Sequence, residues 1–288
     1  MTVVYPDPFE FNHSTGFGIL RPRHFSVASD RFAAYQYSPS GLLRMFDMFT
    51  GAMLWETAAD AFHVSNLFQS VHIMTDGRVA LSNTRSAVAT VKVYLSTGVL
   101  QQTLTVSPGA GVSGGFEGMI SYNDGTNTYL FLFYVSRAAI YKGPTGGTMT
   151  QIANVFIGQN TVALAVSPTH LFWIRQSGTP TVWKTTWSDS GFGTPEQVIV
   201  DFDSFVHSIT YDSGTDTFCV IGSGASGSNI TVMDGAATSV LRSSGGAGAG
   251  TGIFNYSDVA GRNLFIDDDQ VLLKGSTDNG GNSVRSEE

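Results

Sequence analysis

The sequence is poor in charge, in cysteine and in long apolar runs, and each shortage argues against a class of protein. Charged residues make up 13% of the 288 residues, against about 25% in an average soluble domain. No apolar run approaches the ~20 residues of a membrane-spanning helix, so we predict no membrane partner. The single cysteine, Cys219, excludes an intrachain disulfide and lies in an apolar stretch, where a buried, unreactive thiol is expected.

Basic residues are outnumbered, and this argues against a nucleic-acid partner. The chain has 15 Lys and Arg against 23 Asp and Glu, for a net charge of −8. Proteins that bind duplexes usually carry a basic surplus, because neutralising phosphates supplies most of their affinity. Residues 1–8 also lack the basic and apolar regions of a secretory leader. We therefore expect synthesis in the cytoplasm without a leader.

Glycine is abundant, and with Ser and Thr it supplies turn and strand residues. Residues 120–131 match residues 209–220 almost position by position, and each segment has the pattern strand, polar turn, strand. Related hairpins recur about every 45 residues, as in repeat folds. Their turn tips lie near Asp30, Asp76, Asp124, Pro168, Ser213 and Val259.

A second hairpin follows the first in most repeats, so the unit is a meander of four short strands. Four antiparallel strands in about 45 residues are typical of one β-propeller blade. We predict an all-β fold, a six-bladed β-propeller of four-stranded antiparallel blades forming one domain over residues 1–274. The predicted blades lie near residues 21–62, 63–108, 114–157, 158–203, 204–245 and 251–274.

The two ends of the chain suggest how the ring closes. The sixth repeat lacks a convincing fourth strand and passes into residues 275–288, which have the composition of a polar tail. Residues 1–20 precede the first blade and are otherwise surplus. We predict that Thr2–Tyr5 or Phe9–Phe11 supplies the outer strand of the last blade and closes the ring.

One blade carries a recognisable turn motif, D-x-x-T-G-x-x-x-W, formed by Asp47, Thr50, Gly51 and Trp55. Asp47 and Thr50 can hydrogen-bond the turn backbone, Gly51 allows a positive φ, and Trp55 can pack between blades. This motif resembles the repeats of quinoprotein-type propellers and, more loosely, those of WD40 and lactonase-like propellers. The resemblance implies the fold. It does not carry over quinone binding, because no cofactor ligands are recognisable.

Few residues in the sequence suggest a catalytic or metal-binding site. His24, His72 and His207 precede turn tips on innermost strands, so they are weak candidates for a metal site in a central funnel. Ordinary polar residues are the alternative, and we predict no metal and no cofactor. We also predict no catalytic residues, because no motif pairs a nucleophile with a base.

Composition and repeats together favour a non-catalytic structural or interaction module. Low charge and richness in Gly, Ser and Thr resemble virion building blocks, such as a phage tail or capsid-associated propeller, whose partners are neighbouring subunits or a host glycan. Trp183 and Trp187 are either contact residues or, as we favour, packing residues. The alternatives are a carbohydrate-binding or carbohydrate-cleaving propeller, with aromatics and carboxylates on one face, and a lactonase-like or quinoprotein-like enzyme.

Overall fold

Regular structure in the described part of the chain consists of short β-strands. The computed structural model describes residues 25–28, 31–36, 42–47, 50–58, 71–82, 89–106, 116–134, 137–156, 161–175, 181–198, 205–212, 215–224, 227–236, 240–245, 264–267, 270–274 and 284–287. Among these residues, no helix is long and apolar enough to cross a membrane.

The first two sheets each contain four strands in chain order. The first consists of β1 (Phe25–Ala28), β2 (Arg31–Gln36), β3 (Leu42–Asp47) and β4 (Met53–Ala58). The second consists of β5 (Val71–Ile73), β6 (Val79–Ser82), β7 (Ala89–Tyr94) and β8 (Leu100–Val106).

Four further sheets follow. The third consists of β9 (Phe116–Asn123), β10 (Asn127–Tyr134), β11 (Arg137–Pro144) and β12 (Thr150–Phe156). The fourth consists of β13 (Thr161–Val166), β14 (His170–Arg175), β15 (Thr181–Ser188) and two short strands that both pair with β15, namely β16 (Gly191–Phe192) and β17 (Glu196–Val198). The fifth consists of β18 (Phe205–Asp212), β19 (Thr217–Gly224), β20 (Gly227–Asp234) and β21 (Val240–Gly245). The sixth consists of β22 (Leu264–Asp267), β23 (Gln270–Lys274) and β24 (Val284–Glu287).

Each sheet falls within one predicted repeat, apart from β24, and pairs its strands antiparallel in chain order, except that β17 pairs with β15. The first turn of a sheet joins its first two strands, and the second turn joins its third and fourth strands. The predicted tips Asp76, Asp124 and Pro168 lie in the first turns of the second, third and fourth sheets. The tips at Asp30, Ser213 and Val259 lie outside the described residues. The periodic turn residues therefore predicted the meander correctly.

The sixth sheet includes part of the predicted polar tail. Within residues 275–288, Val284–Glu287 forms β24 and pairs antiparallel with β23, with Lys274 opposite Val284 and Val271 opposite Glu287. Backbone hydrogen bonds to a strand edge hold this segment, although it contains one apolar residue. The closing strand predicted within residues 1–20 lies outside the described residues and stays a prediction.

The chain divides into two compact units. The first unit comprises residues 1–116, 125–128 and 143–148; the second comprises residues 117–124, 129–142 and 149–288. In the first unit, alternate residues of neighbouring strands, including Leu43, Met45 and Leu81, form a buried apolar cluster.

The second unit has two buried apolar clusters. One contains Phe172, Phe218 and Val220, and the other contains Phe131, Phe133 and Trp173. Cys219 is fully buried, which confirms its expected burial. Within each unit, these clusters bury side chains from neighbouring sheets among the first five, on the faces to which strand alternation sends them.

Candidate functional site

The second turn of the first sheet is held by Asp47. Its Oδ1 accepts hydrogen bonds from the backbone N–H and from the hydroxyl of Thr50, both at 2.7 Å. Gly51 has a φ of 68°, a left-handed conformation that glycine adopts without steric cost. Its N–H donates to the Asp47 carbonyl at 3.0 Å. These three residues of the turn motif therefore stabilise a hairpin.

Trp55, the last residue of the motif, reaches the second turn of the second sheet. Its Nε1–H donates to the Ser96 carbonyl at 2.8 Å. The indole lies against Gly98, where a Cβ would stand 2.9 Å from two ring carbons. Gly98 also has a φ of 84°. Position 98 therefore requires glycine for two independent reasons, and Trp55 joins the two sheets.

A buried polar cluster joins the second sheet to the turns of the third. The side chains of Asp76 and Arg78 are 0% and 2% exposed, with Oδ2 and Nη2 2.6 Å apart. Arg78 Nη1 donates to Gln101 Oε1 at 3.0 Å and to the Gly147 carbonyl. Asp76 Oδ2 accepts from the Thr128 hydroxyl at 2.6 Å. All these residues belong to the first unit.

Burial shapes the electrostatics of this cluster. Desolvation opposes ionisation of Asp76, but hydrogen bonds from Arg78 and Thr128 and the Arg78 charge outweigh it and lower the pKa of the carboxyl. His72, on β5, is half-buried, and desolvation lowers its pKa to about 4 despite the opposing charge of Asp76. At neutral pH the cluster therefore holds one charge of each sign beside a neutral imidazole.

A more exposed group joins the third sheet to the fourth within the second unit. Lys142 Nζ lies 2.5 Å from Asp189 Oδ2, in the second turn of the fourth sheet. The Tyr129 hydroxyl donates to Asp189 Oδ1 at 3.0 Å. The hydrogen bond from Lys142, with that from Tyr129, lowers the pKa of Asp189. Hydrogen bonding to Asp189 also raises the pKa of Lys142.

Trp187 lies beneath this group and is buried. Its indole N–H donates to the Ser167 carbonyl at 2.9 Å. Its ring contacts Tyr129 and Phe131, with centroid distances of 4.8 and 5.1 Å. Trp183 is half-buried and stacks on Trp173 at 6.4 Å. Trp187 therefore packs between two sheets, as predicted for both tryptophans, whereas the stacking partner of Trp183 lies in its own sheet.

The fourth sheet reaches the fifth through Lys184. Its Nζ donates to the Ala236 carbonyl at 2.6 Å and lies 3.2 Å from Glu196 Oε1. Ala236 lies in the second turn of the fifth sheet. Lys184 itself is buried, so this contact replaces water around a charged group.

The same arrangement thus recurs along five consecutive sheets. In each case a side chain of one sheet contacts the second turn of the next, and we call these contacts the inter-sheet ties. Their principal side chains are Trp55, Arg78, Lys142 and Lys184. Sequence analysis singled out the first alone. A charged residue in or next to a strand, in a chain that is poor in charge, was the available signal for the others, because a buried charge needs a partner.

One hydroxyl–imidazole pair also escaped sequence analysis. Thr169 Oγ1 lies 2.8 Å from His170 Nδ1. Desolvation, with the charge of Lys184, lowers the pKa of His170. The Ser167 hydroxyl accepts hydrogen bonds from the backbone N–H groups of Thr169 and His170. The pair therefore stabilises the first turn of the fourth sheet.

The predicted funnel histidines are described only in part. His24 lies outside the described residues, and His207 lies on β18 with its side chain outside them. His72 lies on β5 beside Asp76. Among the described residues, no group of three His, Cys, Asp or Glu side chains is arranged to hold a metal ion.

Two tyrosines, Tyr122 and Tyr211, lie at matching positions of the repeats in the second unit. Tyr122 is the penultimate residue of β9, and Tyr211 is the penultimate residue of β18. The Tyr211 hydroxyl donates to Asp216 Oδ1 at 2.9 Å. Burial raises the pKa of Tyr211 to about 12, with smaller effects from Asp216, Tyr122 and Asp212. Aromatics and carboxylates thus share one region of the second unit.

Large exposed apolar side chains among the described residues lie on the first two sheets. We call Met53, Leu54, Val99 and Leu100 the apolar edge. Each is between 46% and 59% exposed. They follow the second turns of their sheets, and Trp55 joins these turns through its contacts with Ser96 and Gly98. The apolar edge therefore lies near the two turns that Trp55 joins.

Comparisons with known proteins establish the fold. No family model matches the sequence, and no curated protein matches it significantly. Solved structures with the same fold include the Dos1 propeller (11% identity, TM-score 0.52, covering 85% of this chain and 62% of that one). Hsv2 from Kluyveromyces lactis is 7% identical with a TM-score of 0.56, covering 87% of this chain and 69% of that one. A protein from Lactobacillus plantarum is 12% identical with a TM-score of 0.61, covering 93% and 84%.

These similarities confirm the predicted β-propeller fold. This chain spans less than two thirds of the length of the Dos1 propeller chain. At such low identity the similarity concerns fold alone, because propellers host many unrelated functions.

Proposed function

We propose that this β-propeller chain is a non-catalytic interaction module, a rigid scaffold that presents strand edges and turns to partner protein subunits. The observation that supports the proposal is the series of inter-sheet ties. Arg78, Lys142 and Lys184 carry charges that a reaction could use, yet each is engaged with the next sheet. Charged groups used in this way hold a scaffold in shape and are not available to a substrate.

The assembly that we propose is a large particle of repeated subunits, a virion in the first instance. The virion assignment rests on composition, namely low charge and richness in Gly, Ser and Thr. The interaction role does not depend on that assignment, since the ties and the apolar edge suit any stable protein complex.

Native mass tests the proposal directly. The protein would be isolated from its source material and analysed by sizing and mass spectrometry. We expect recovery in a stoichiometric complex with other proteins. Recovery as a free chain of 30.7 kDa would overturn the interaction role.

An activity screen tests the non-catalytic part. Purified chain would be incubated with lactones, aryl esters and aryl glycosides, beside Thr169→Val and His170→Gln variants that remove the hydroxyl–imidazole pair. We expect no turnover above background by any of the three. Turnover by the wild type that either variant abolishes would show that the chain is an enzyme.

A carbohydrate-binding role is the second candidate, and the Tyr122–Tyr211 region favours it. Aromatic rings and carboxylates at one face are the groups with which proteins orient sugars. A glycan array tests this role, with Tyr122→Ala and Tyr211→Ala as the informative variants and Tyr141→Phe as the control. Binding that both alanine variants abolish and the control retains would support the role. A blank array for the wild type would reject it.

A further inference from the structure

Three Asp–Gly sequences occur in the chain, at residues 76–77, 124–125 and 234–235. This dipeptide is chemically reactive, because the backbone nitrogen of the glycine can attack the side-chain carboxyl carbon of the aspartate. Glycine permits the approach, since it has no Cβ and adopts positive φ without steric cost. All three pairs lie at turns of the sheets. The sequence alone does not distinguish them, so their reactivity depends on their surroundings.

The first pair, at residues 76–77, is protected by burial. The Asp76 side chain is 0% exposed, and its Oδ2 lies 2.6 Å from Arg78 Nη2 and accepts from the Thr128 hydroxyl. Attack on this carboxyl would turn it away from both groups and leave the Arg78 guanidinium buried without its anion, which is strongly destabilising. We therefore expect this pair to stay unreacted while the chain is folded.

The third pair, at residues 234–235, is protected by packing. Asp234 ends β20 and pairs with Thr217 on β19. Gly235 is buried, and a Cβ at this position would overlap the Asp216 carboxylate. The Tyr211 hydroxyl donates to that carboxylate at 2.9 Å and holds it in place. Rotation of this peptide would displace Asp216 from its position against the glycine.

The second pair, at residues 124–125, has neither kind of protection. Asp124 and Gly125 are both exposed in the first turn of the third sheet. Gly125 has a φ of 90°, and outside its neighbours in the chain no atom lies within 4 Å of an added Cβ. The Tyr129 hydroxyl lies 3.4 Å from Asp124 Oδ2, which is a long and weak hydrogen bond. Ring closure here needs a rotation within an exposed turn and no repacking of the core.

A neighbouring charge favours the loss of the Asp124 carboxylate. Hydrogen bonds from Lys142 and Tyr129 lower the pKa of Asp189, and the like charge of Asp124 opposes them. The two carboxylates therefore repel each other beside the Tyr129 hydroxyl, which contacts both. The cyclic imide that ring closure produces is neutral, so its formation removes this repulsion.

We propose that Asp124–Gly125 is a site of isoaspartate formation in the folded chain. The Gly125 nitrogen bonds to the Asp124 carboxyl carbon, and the amide proton and the carboxyl hydroxyl leave as water. Water then opens the resulting imide at one of its two carbonyls. Opening at the original main-chain carbonyl gives isoaspartate, whose backbone is one methylene longer, and opening at the other restores aspartate. The site does not depend on the interaction role.

The added methylene would fall beside contacts that hold this turn. The Thr126 carbonyl accepts from the Thr145 N–H at 2.9 Å and so joins the two turns of the third sheet. The Thr128 hydroxyl donates to Asp76 Oδ2 at 2.6 Å. A longer backbone just before these residues shifts them from their partners. We therefore expect isoaspartate at residue 124 to loosen the turn and lower the stability of the chain.

Incubation in water enriched in heavy oxygen tests the site on the full chain, because each imide that opens takes up one heavy oxygen atom. The chain would be kept folded at neutral pH, returned to ordinary water, and mapped by mass spectrometry with fragmentation that distinguishes isoaspartate. We expect label and isoaspartate at Asp124 and neither at Asp76 or Asp234. In urea all three sites should react. Asn279, which also precedes a glycine, lies outside the described residues, and Asn279→Gln removes its contribution.

Asp124→Glu is the informative variant, because glutamate would have to close a six-membered ring, which forms much more slowly. It should lose the signal at residue 124, whereas the matched control Asp234→Glu should retain it. Urea midpoints of the fresh proteins equal to that of the wild type would show that both variants fold. During incubation the midpoint of the wild type should fall, and that of Asp124→Glu should stay constant.

Three results would overturn the proposal. The first is an absence of isoaspartate at Asp124 in the folded wild type. The second is isoaspartate at Asp76 or Asp234 as fast as at Asp124 before urea is added, which would show that burial and packing do not select the site. The third is an unchanged urea midpoint in wild type that carries isoaspartate at residue 124, which would overturn the expected loosening of the turn.

Discussion

Two of the ion pairs at inter-sheet ties, Asp76–Arg78 and Lys142–Asp189, differ in how much water reaches them. Asp76 and Arg78 are 0% and 2% exposed, whereas Lys142 and Asp189 are 24% and 62% exposed. The buried pair also binds two groups of the third sheet, the Thr128 hydroxyl on β10 and the Gly147 carbonyl in the second turn. The exposed pair adds one phenol, that of Tyr129.

This difference in exposure determines how much each ion pair contributes to the free energy of unfolding. Removing one partner of a buried pair leaves a desolvated charge without compensation, which is strongly destabilising. Removing one partner of an exposed pair leaves a charge that water and salt screen. We therefore expect the ties of this propeller to be unequal, with the tie at Asp76 and Arg78 contributing most to stability.

Arg78→Ala should give the largest effect. The variant leaves the Asp76 carboxylate buried without its cation, and we expect a loss of about 3–5 kcal/mol in the free energy of unfolding, measured with urea. The matched control is the double variant Asp76→Asn, Arg78→Met, which removes both charges and should recover most of the loss. A double variant as unstable as Arg78→Ala would show that the charge imbalance is not the cause.

Acid should weaken the same tie in two separable steps. The folded-state pKa of His72 is about 4 and its ordinary value is 6.5, so the unfolded chain binds more protons between these values. Stability from His72 is thus complete above pH 6.5 and falls by about 2–3 kcal/mol as the pH drops to 4. His72→Gln should flatten this part of the stability profile in urea titrations.

Asp76 acts at lower pH in the same direction. Its folded-state pKa is lowered, so its contribution is present above its ordinary pKa and is lost as the pH falls through the folded value. Asp76→Asn should remove this lower step alone. A difference between the wild type and His72→Gln that does not change with pH would contradict the assignment of the upper step.

Gly98→Ala tests a tie that contains no charge. The new Cβ would stand 2.9 Å from the Trp55 ring at a φ of 84°, so both a clash and left-handed strain are expected, about 2–3 kcal/mol in total. Gly51→Ala is the matched control, because its φ is 68° and no atom lies within 4 Å of the added Cβ. It should lose about 1 kcal/mol, from strain alone. Equal losses in urea would mean that the Trp55 contact contributes nothing.

The predictions from the sequence agree with the structure where the interactions join residues that are close together in the chain. Turn residues such as Asp47 and Gly51 act within three or four residues, and apolar alternation acts within one strand, so the repeats predicted the sheets. The ties join residues far apart in the chain, such as Arg78 with Gly147 and Lys142 with Asp189. Their pairing depends on how sheets pack, and no local pattern specifies it.

Two smaller features of the structure could not be predicted from the sequence for the same reason, because they depend on contacts between distant segments. Val284–Glu287 contains one apolar residue and gives no alternation signal, yet it pairs with β23 because an open strand edge satisfies its backbone. Met45 and Met53 both lie in alternating strands of the first sheet, but the first is fully buried and the second is 55% exposed. Whether an apolar side chain is buried depends on whether a neighbouring sheet covers its face of the strand. The hydropathy of the residue alone does not predict this.

Lys142→Met should give the smallest effect and complete the comparison. The Asp189 carboxylate that it leaves behind is mostly exposed, so water replaces the lost ammonium group. We expect no measurable change in the urea midpoint at physiological salt and a small decrease at low salt, where screening is weaker. A loss as large as that of Arg78→Ala would show that exposure does not govern the strength of these ties, and that the geometry around Tyr129 and Trp187 does.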